Sequence, residues 1–307
     1  MECVIKIDYP INKLPSISES ERAALTISCR DSDMIPKHPL AGTVEVDADG
    51  KQWQIMHNGL RIEYGRYHGE YMAGIIAALR GHHEPQEEFA FWEILKCLNG
   101  APTMVELGAF WAYYSLWFRT IFPSGRSLMY EPDAEHLAAG QRNFARNGFS
   151  GYFEISAAGL DGSATFMDET LNQTRAVATK SVATICREQH IDRIDLLHMD
   201  VQGAELSALL GAEALVAAGK LRFVFVSTHH HLISGDPLTH QKCLHWLRAN
   251  GAHILCEHSV NESFSGDGLI VASFMEQDRE RAIPVSYCRQ SKSLFRELEF
   301  DLAEAMK

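Results

Sequence analysis

The residues of this sequence best suited to chemistry are carboxylates and imidazoles that close short apolar runs. Glu106 lies in Met104-Val105-Glu106-Leu107 and is followed by Gly108-Ala109. Glu131 follows Ser127-Leu128-Met129-Tyr130, 23 residues beyond Gly108. Asp200 ends the run from Ile194, and His229, His230 and His231 follow the run Leu221 to Thr228. A carboxylate can accept two hydrogen bonds from adjacent hydroxyls, the recurrent way of holding a ribose. A small-residue turn that opens a helix presents backbone N–H groups to a ligand. Asp200 can orient or deprotonate an acceptor, and His229 or His230 is a candidate base. With Asp200 the histidines could also offer nitrogen and oxygen ligands to a divalent metal, but no spacing singles one out. Plainer roles stand beside these. Glu106 could be a buried hydrogen-bonded carboxylate, Glu131 a helix cap, and Asp200 a partner for helix amides before Gly203. The run from His82 to Glu88 could be helix-start chemistry alone.

These residues matter only if the intervening elements bring them to one rim. Met104–Leu107 reads as a buried strand, Gly108-Ala109 as a tight turn, and Trp111 onward as an apolar helix. Further strands are expected at Ser127–Tyr130, Tyr152–Ser156 (ending at Ala157-Ala158), Ile194–Asp200 and Leu221–Ser227. Helices are expected at Asp133–Asn147, Ser181–His190, from Gly203, and at about Pro237–Asn250. His253–Glu257 and Leu269–Phe274 should pair as the last strands, and a hairpin is expected around Ser163–Met167. Strands alternating with helices predict an α/β fold, a parallel sheet with helices on both faces. In such a sheet the carboxyl ends of the strands line one rim, where ligands bind. Before this core, Thr43–Asp47, Lys51–Met56 and Leu60–Tyr64 read as a small β-meander with turns at Asp49-Gly50 and Asn58-Gly59. The stretch Ser16–Arg22 could cap and begin a short helix, another spans Gly69–Arg80, and a third starts at Pro85. The tail 291–307 reads as an amphipathic helix.

Composition narrows the function. The chain has 307 residues, 46% of them hydrophobic and 22% charged, enough for a sizeable core. The formal charge of −12 argues against a nucleic-acid partner, which needs a basic surface. No apolar run reaches the roughly 20 residues of a membrane span, and the first residues lack a secretory pattern. The seven cysteines are scattered, as in a cytoplasmic protein with reduced thiols. The Gly-x-Gly-x-x-Gly pattern of dinucleotide sites is absent. Phe110 and Trp111 leave little room for a pyrophosphate, which favours S-adenosylmethionine over NAD.

Val105-Glu106-Leu107-Gly108-Ala109, Glu131-Pro132 with Asn143 and Asn147, and Leu197 to Glu205 resemble, in order and spacing, the signatures of the FkbM family of S-adenosylmethionine-dependent methyltransferases. The resemblance spans about residues 82–275. It implies a class I methyltransferase fold, a Rossmann-like seven-stranded, mostly parallel sheet whose seventh strand is antiparallel. It also implies O-methylation of a hydroxyl on a small molecule or glycan. Carried onto this chain, Glu106 and the backbone of Gly108 and Ala109 hold the methionine part. Glu131, with Pro132, holds the ribose. Ala157 lies by the adenine, Phe110 and Ser115 border the site, and Asp200 faces the transfer point. The chain departs from the family where Asn is usual (Phe110), where a later Gly is usual (Ala112) and where Glu is usual (Gln202). The expected organisation is an N-terminal extension over 1–81 covering the acceptor pocket, a Rossmann-like domain over 82–290 and a C-terminal helix over 291–307. The alternatives are a degenerate fold serving as a binding or assembly module, and an NAD-dependent oxidoreductase.

Overall fold

A computed structural model describes residues 18–168 and 173–288. The expected helix at 291–307 lies outside them.

The first helix, α1 (Glu19–Ser28), starts where the sequence supplies a capping box. Ser18 accepts the N–H of Glu21, and the Glu21 side chain returns to the N–H of Ser18. A three-stranded antiparallel meander follows: β1 (Val44–Val46), β2 (Gln52–Ile55) and β3 (Arg61–Glu63). Asp47 Oδ1 closes the first turn by accepting the N–H groups of Asp49 and Lys51. Then come α2 (Gly69–Ala78) and α3 (Pro85–Leu95), the latter with its proline at the first helical position, where a missing N–H costs nothing.

The main sheet is built from β4 (Thr103–Leu107), β5 (Arg126–Glu131) and β6 (Tyr152–Ile155), then β10 (Ile194–Asp200), β11 (Leu221–Thr228), β12 (His253–His258) and β13 (Gly268–Ser273). Its order is β12-β13-β11-β10-β4-β5-β6. The chain therefore starts in the middle, moves to one edge, returns, places β12 at the other edge and finishes with β13 inserted between β12 and β11. Pairing from β6 through β11 is parallel, and β13 runs antiparallel to both β11 and β12. The expected seven-stranded, mostly parallel α/β sheet is present.

Side chains alternate between the two faces, as strand geometry requires. Met104, Leu196 and Phe223 enter a core with the meander, α2, α3 and the aromatic helix α4 (Tyr113–Ile121). Val105, Leu197 and Val224 enter the opposite core. That second core is covered by α6 (Val182–Glu188), α7 (Glu205–Leu210) and α10 (Thr239–Ala249). The helix α5 (Ala134–Arg146) follows β5 and is capped by Asp133, which accepts the N–H groups of Glu135 and His136.

Two elements differ from expectation. Ala157-Ala158 does not extend β6 but forms β7, pairing with β9 (Gln173–Lys180), which also forms the hairpin with β8 (Gly162–Asp168). Ser156 marks the break: its hydroxyl bonds the carbonyls of Ala157 and Ala178. The helix expected from Gly203 divides into α7 and α8 (Glu213–Ala217). Gly211 sits at the break, where its carbonyl accepts the N–H of Ala183. Among the described residues no helix is long and apolar enough to cross a membrane, and no disulfide links the cysteines.

Candidate active site at the strand ends

The turn after β4 is shaped by close approach. Gly108 has φ +74°, and a Cβ there would lie 1.7 Å from the carbonyl oxygen of Asp200. The N–H groups of Gly108 and Ala109 both reach the Tyr130 carbonyl, at 2.9 and 3.1 Å. Phe110 and Ala112 then take left-handed φ of +42° and +56°. Gln202, in the corresponding turn after β10, has φ +48°. Phe110 and Ala112 stand where the related family usually has Asn and Gly, residues that adopt this conformation most readily. Phe110 and Ala112 bear the strain of that backbone.

Glu106 is 2% exposed, and its Oε2 accepts the N–H of fully buried Ser115 at 3.2 Å. Burial pushes its pKa up to about 8. Glu106 and Ser115 thus brace the turn from inside. Glu131 is at the rim: Oε2 accepts the N–H of Phe110 at 3.0 Å and Oε1 that of Asp133 at 3.1 Å. Because Asp133 caps α5, Glu131 is not the helix cap. Pro132 follows it directly. Ala157 lies beyond β6 in the small sheet, half-buried.

Asp200 and His229 meet across the ends of β10 and β11. His229 Nε2 lies 3.1 Å from Asp200 Oδ1 and 3.8 Å from Asp267 Oδ1. Its Nδ1 lies 2.6 Å from Glu205 Oε1. Burial opposes a charge on His229, but Asp267, Asp200 and Glu205 outweigh it and hold its pKa well above the ordinary value. Asp267 is pushed up to about 6 by burial, against the pull of His229, with Asp200 and Glu84 adding to the rise. Glu205 also accepts the N–H of Gly203, so that amide turns to Glu205 and not to Asp200. His230 instead caps the short helix α9 (His231–Ser234), its Nδ1 accepting the N–H of Leu232 at 3.2 Å. His231 is the first residue of that helix and is not part of the Asp200 grouping.

A cavity of about 500 Å³ opens beside this grouping. Asp267, Glu84, His83 and Tyr67 line it, as do Arg22 of α1 and Tyr71 of α2. Glu84 takes hydrogen bonds from Tyr67 and Tyr114, both at 3.1 Å, and lies 3.1 Å from His83 Nε2. Burial opposes a charge on His83, yet Glu84 and Glu88 raise its pKa to about 10. Glu87 is fully enclosed and bonded to Ser227 at 2.7 Å. Burial, then Glu84, Asp267 and Asp200, raises its pKa well above the ordinary carboxylate value.

Sequence reasoning does not single out Glu205, Asp267, Tyr67 or His136. A usable signal exists for Asp267. It precedes an antiparallel strand, whose amino end lies at the same rim as the carboxyl ends of its neighbours.

Among the described residues, His57, His82 and Glu88 form a grouping that could hold a metal ion. The two imidazoles stack, with centroids 4.3 Å apart and planes 14° apart. Their lone pairs thus run side by side, which suits hydrogen bonding better than convergence on one ion. His57 bonds the Tyr113 hydroxyl at 2.8 Å, and His82 bonds Glu88. For a nucleoside, Glu131 has suitable acceptors for ribose hydroxyls. A carboxylate offers about four acceptor positions, and two are taken, leaving two for adjacent hydroxyls.

In comparisons with known proteins, the pattern described as the FkbM methyltransferase domain matches residues 100–254. No curated protein matches. Similar solved structures include a ribosomal protein L11 methylase from Lactobacillus delbrueckii subsp. bulgaricus, at 13% identity. That match covers 63% of this chain and 81% of the other, with a TM-score of 0.36. M. capricolum TrmK in complex with S-adenosyl-homocysteine is 13% identical over 63% and 74%, with a TM-score of 0.37. Magnesium protoporphyrin IX methyltransferase from Synechocystis PCC 6803, with bound SAM, is 10% identical over 61% and 76%, with a TM-score of 0.40. At these scores the matches add nothing to the strand order.

Proposed function

The chain belongs to the FkbM methyltransferase family, and from that premise we propose that it transfers the methyl group of S-adenosylmethionine to a hydroxyl of a small molecule or glycan. When bound, the cofactor supplies an electrophilic methyl on a sulfonium. Glu131 with Pro132 would hold its ribose, and the Gly108-Ala109-Phe110 turn, braced by Glu106 and Ser115, would hold its methionine part. Ala157 would lie toward the adenine.

The observation that carries this reading is the grouping of Asp200, His229, Glu205 and Asp267 at the rim, beside a cavity walled by the N-terminal elements. In this proposal the cavity takes the acceptor, and the described part of the N-terminal extension, residues 18–81, covers it. Asp200 faces the transfer point, oriented by His229. Because three carboxylates hold His229 charged, it positions its neighbours and does not accept the proton. Asp267, open to the cavity, is the base. Alignment at about 3 Å supplies most of the acceleration through effective molarity. Base assistance adds roughly 100-fold or more.

Calorimetry with S-adenosylhomocysteine tests the cofactor half. We expect binding by the wild type and at least tenfold loss in Glu131→Ala; no binding at all removes the proposal. The strained Phe110, Ala112 and Gln202 favour one second reading, a degenerate fold that binds without turnover. Methyl transfer to a panel of hydroxylated acceptors separates the two.

A further inference from the structure

Glu131 is the ribose ligand of the proposal above, yet two aromatic rings crowd it. Phe110 gives its N–H to Glu131 Oε2 at 3.0 Å. The Phe110 ring stacks on that of His136, with centroids 3.7 Å apart and planes 20° apart. His136 Nδ1 lies 3.6 Å from Glu131 Oε1, and Glu131 is only 6% exposed. The Phe110 ring also meets Tyr67 at 5.2 Å and His68 at 6.1 Å. Tyr67 and His68 line the 500 Å³ cavity, whereas Phe110 and Glu131 do not. The Phe110 ring therefore stands between the cavity and the ribose carboxylate.

We propose that Phe110 and His136 set cofactor affinity as an aromatic gate over Glu131, one that must part before a nucleoside reaches the carboxylate. The proposal rests on the methyltransferase reading. Its second support is the backbone. At φ +42° a bulky aromatic residue is strained, and strain of this kind persists only where surrounding contacts impose it. Here the contacts are the Glu131 hydrogen bond, the His136 stack and the Tyr67 edge contact. Parting swings the ring about χ1 and gives up its contacts with His136 and Tyr67, while the backbone turn and its N–H to Glu131 stay in place. Apparent affinity then equals intrinsic affinity scaled by the open fraction. A variant without the ring is open throughout. Asn at position 110 tolerates left-handed φ and keeps the N–H to Glu131.

The experiment is calorimetry of the full chain with S-adenosylhomocysteine, comparing wild type, Phe110→Asn and His136→Ala, with melting temperatures in parallel. We expect both variants to bind about tenfold tighter or more, and Phe110→Asn to melt no lower than wild type. His136→Ala removes the stacking partner without touching the turn, so it keeps the test decisive if Phe110→Asn misfolds. Equal or weaker binding in a folded variant overturns the gate and makes the ring a platform for the nucleoside. Absence of binding in all three proteins fells the methyltransferase reading itself, a different outcome.

Discussion

His229 lies among three carboxylates, and that company fixes its charge. Its folded pKa is raised, so its charge stabilises the fold below the unfolded value near 6.5. That contribution disappears only as pH rises through the higher folded value. The pKa of Asp267 is raised as well, which for an acid is the unusual direction. Its folded pKa is about 6, so ionising it costs stability as pH rises from roughly 4 toward 6. If it is the base, activity must rise where that stability falls. We expect kcat/KM to climb with pH to a midpoint near 6. In Asp267→Asn that limb should flatten, with turnover reduced by roughly 100-fold; an unaltered profile removes Asp267 from the chemistry. His230 caps a four-residue helix, so His230→Ala should cost about 1 kcal/mol or less of stability. By contrast, His229→Ala should abolish most turnover with cofactor affinity nearly intact. Equal effects of the two substitutions would contradict the division of roles.

At the scale of elements, the turn between β4 and α4 is where sequence and backbone conflict. Gly108 is required because any side chain would collide with the Asp200 carbonyl, and the strand ends cannot separate without breaking the ladder between β4 and β10. Gly108→Ala should therefore destabilise by more than about 1 kcal/mol, measured as a lower urea midpoint. An unchanged midpoint would mean that the strand ends are not packed this closely. Strands and helices were readable because their apolar periods are local. The breaks at Ser156 and Gly211 were not, because they answer to partners far along the chain: the carbonyl of Ala178 for one, the N–H of Ala183 for the other.

Over the whole molecule, the N-terminal elements are packed into the main sheet's core. Met56, Leu60, Ile62, Met72 and Ile75 share one cluster with Phe91, Trp117 and Phe225. The buried bundle of His57, His82, Glu88 and Tyr113 joins the same parts. We expect a single cooperative thermal transition for the full chain, and no folded product from residues 82–307 alone. Two separate transitions would show the extension to be an independent unit. The sequence by itself determined the alternation of strands and helices and the placing of Glu131, Asp200 and the histidines at strand ends, because period, turn residues and strand ends are local properties. Only the tertiary structure decided that His229 and not His230 faces Asp200. It alone brought Asp267 and Glu84 to the cavity and set the Phe110 ring over Glu131. Those outcomes depend on which distant segments share a rim, and on burial and charge that no neighbouring residue reveals.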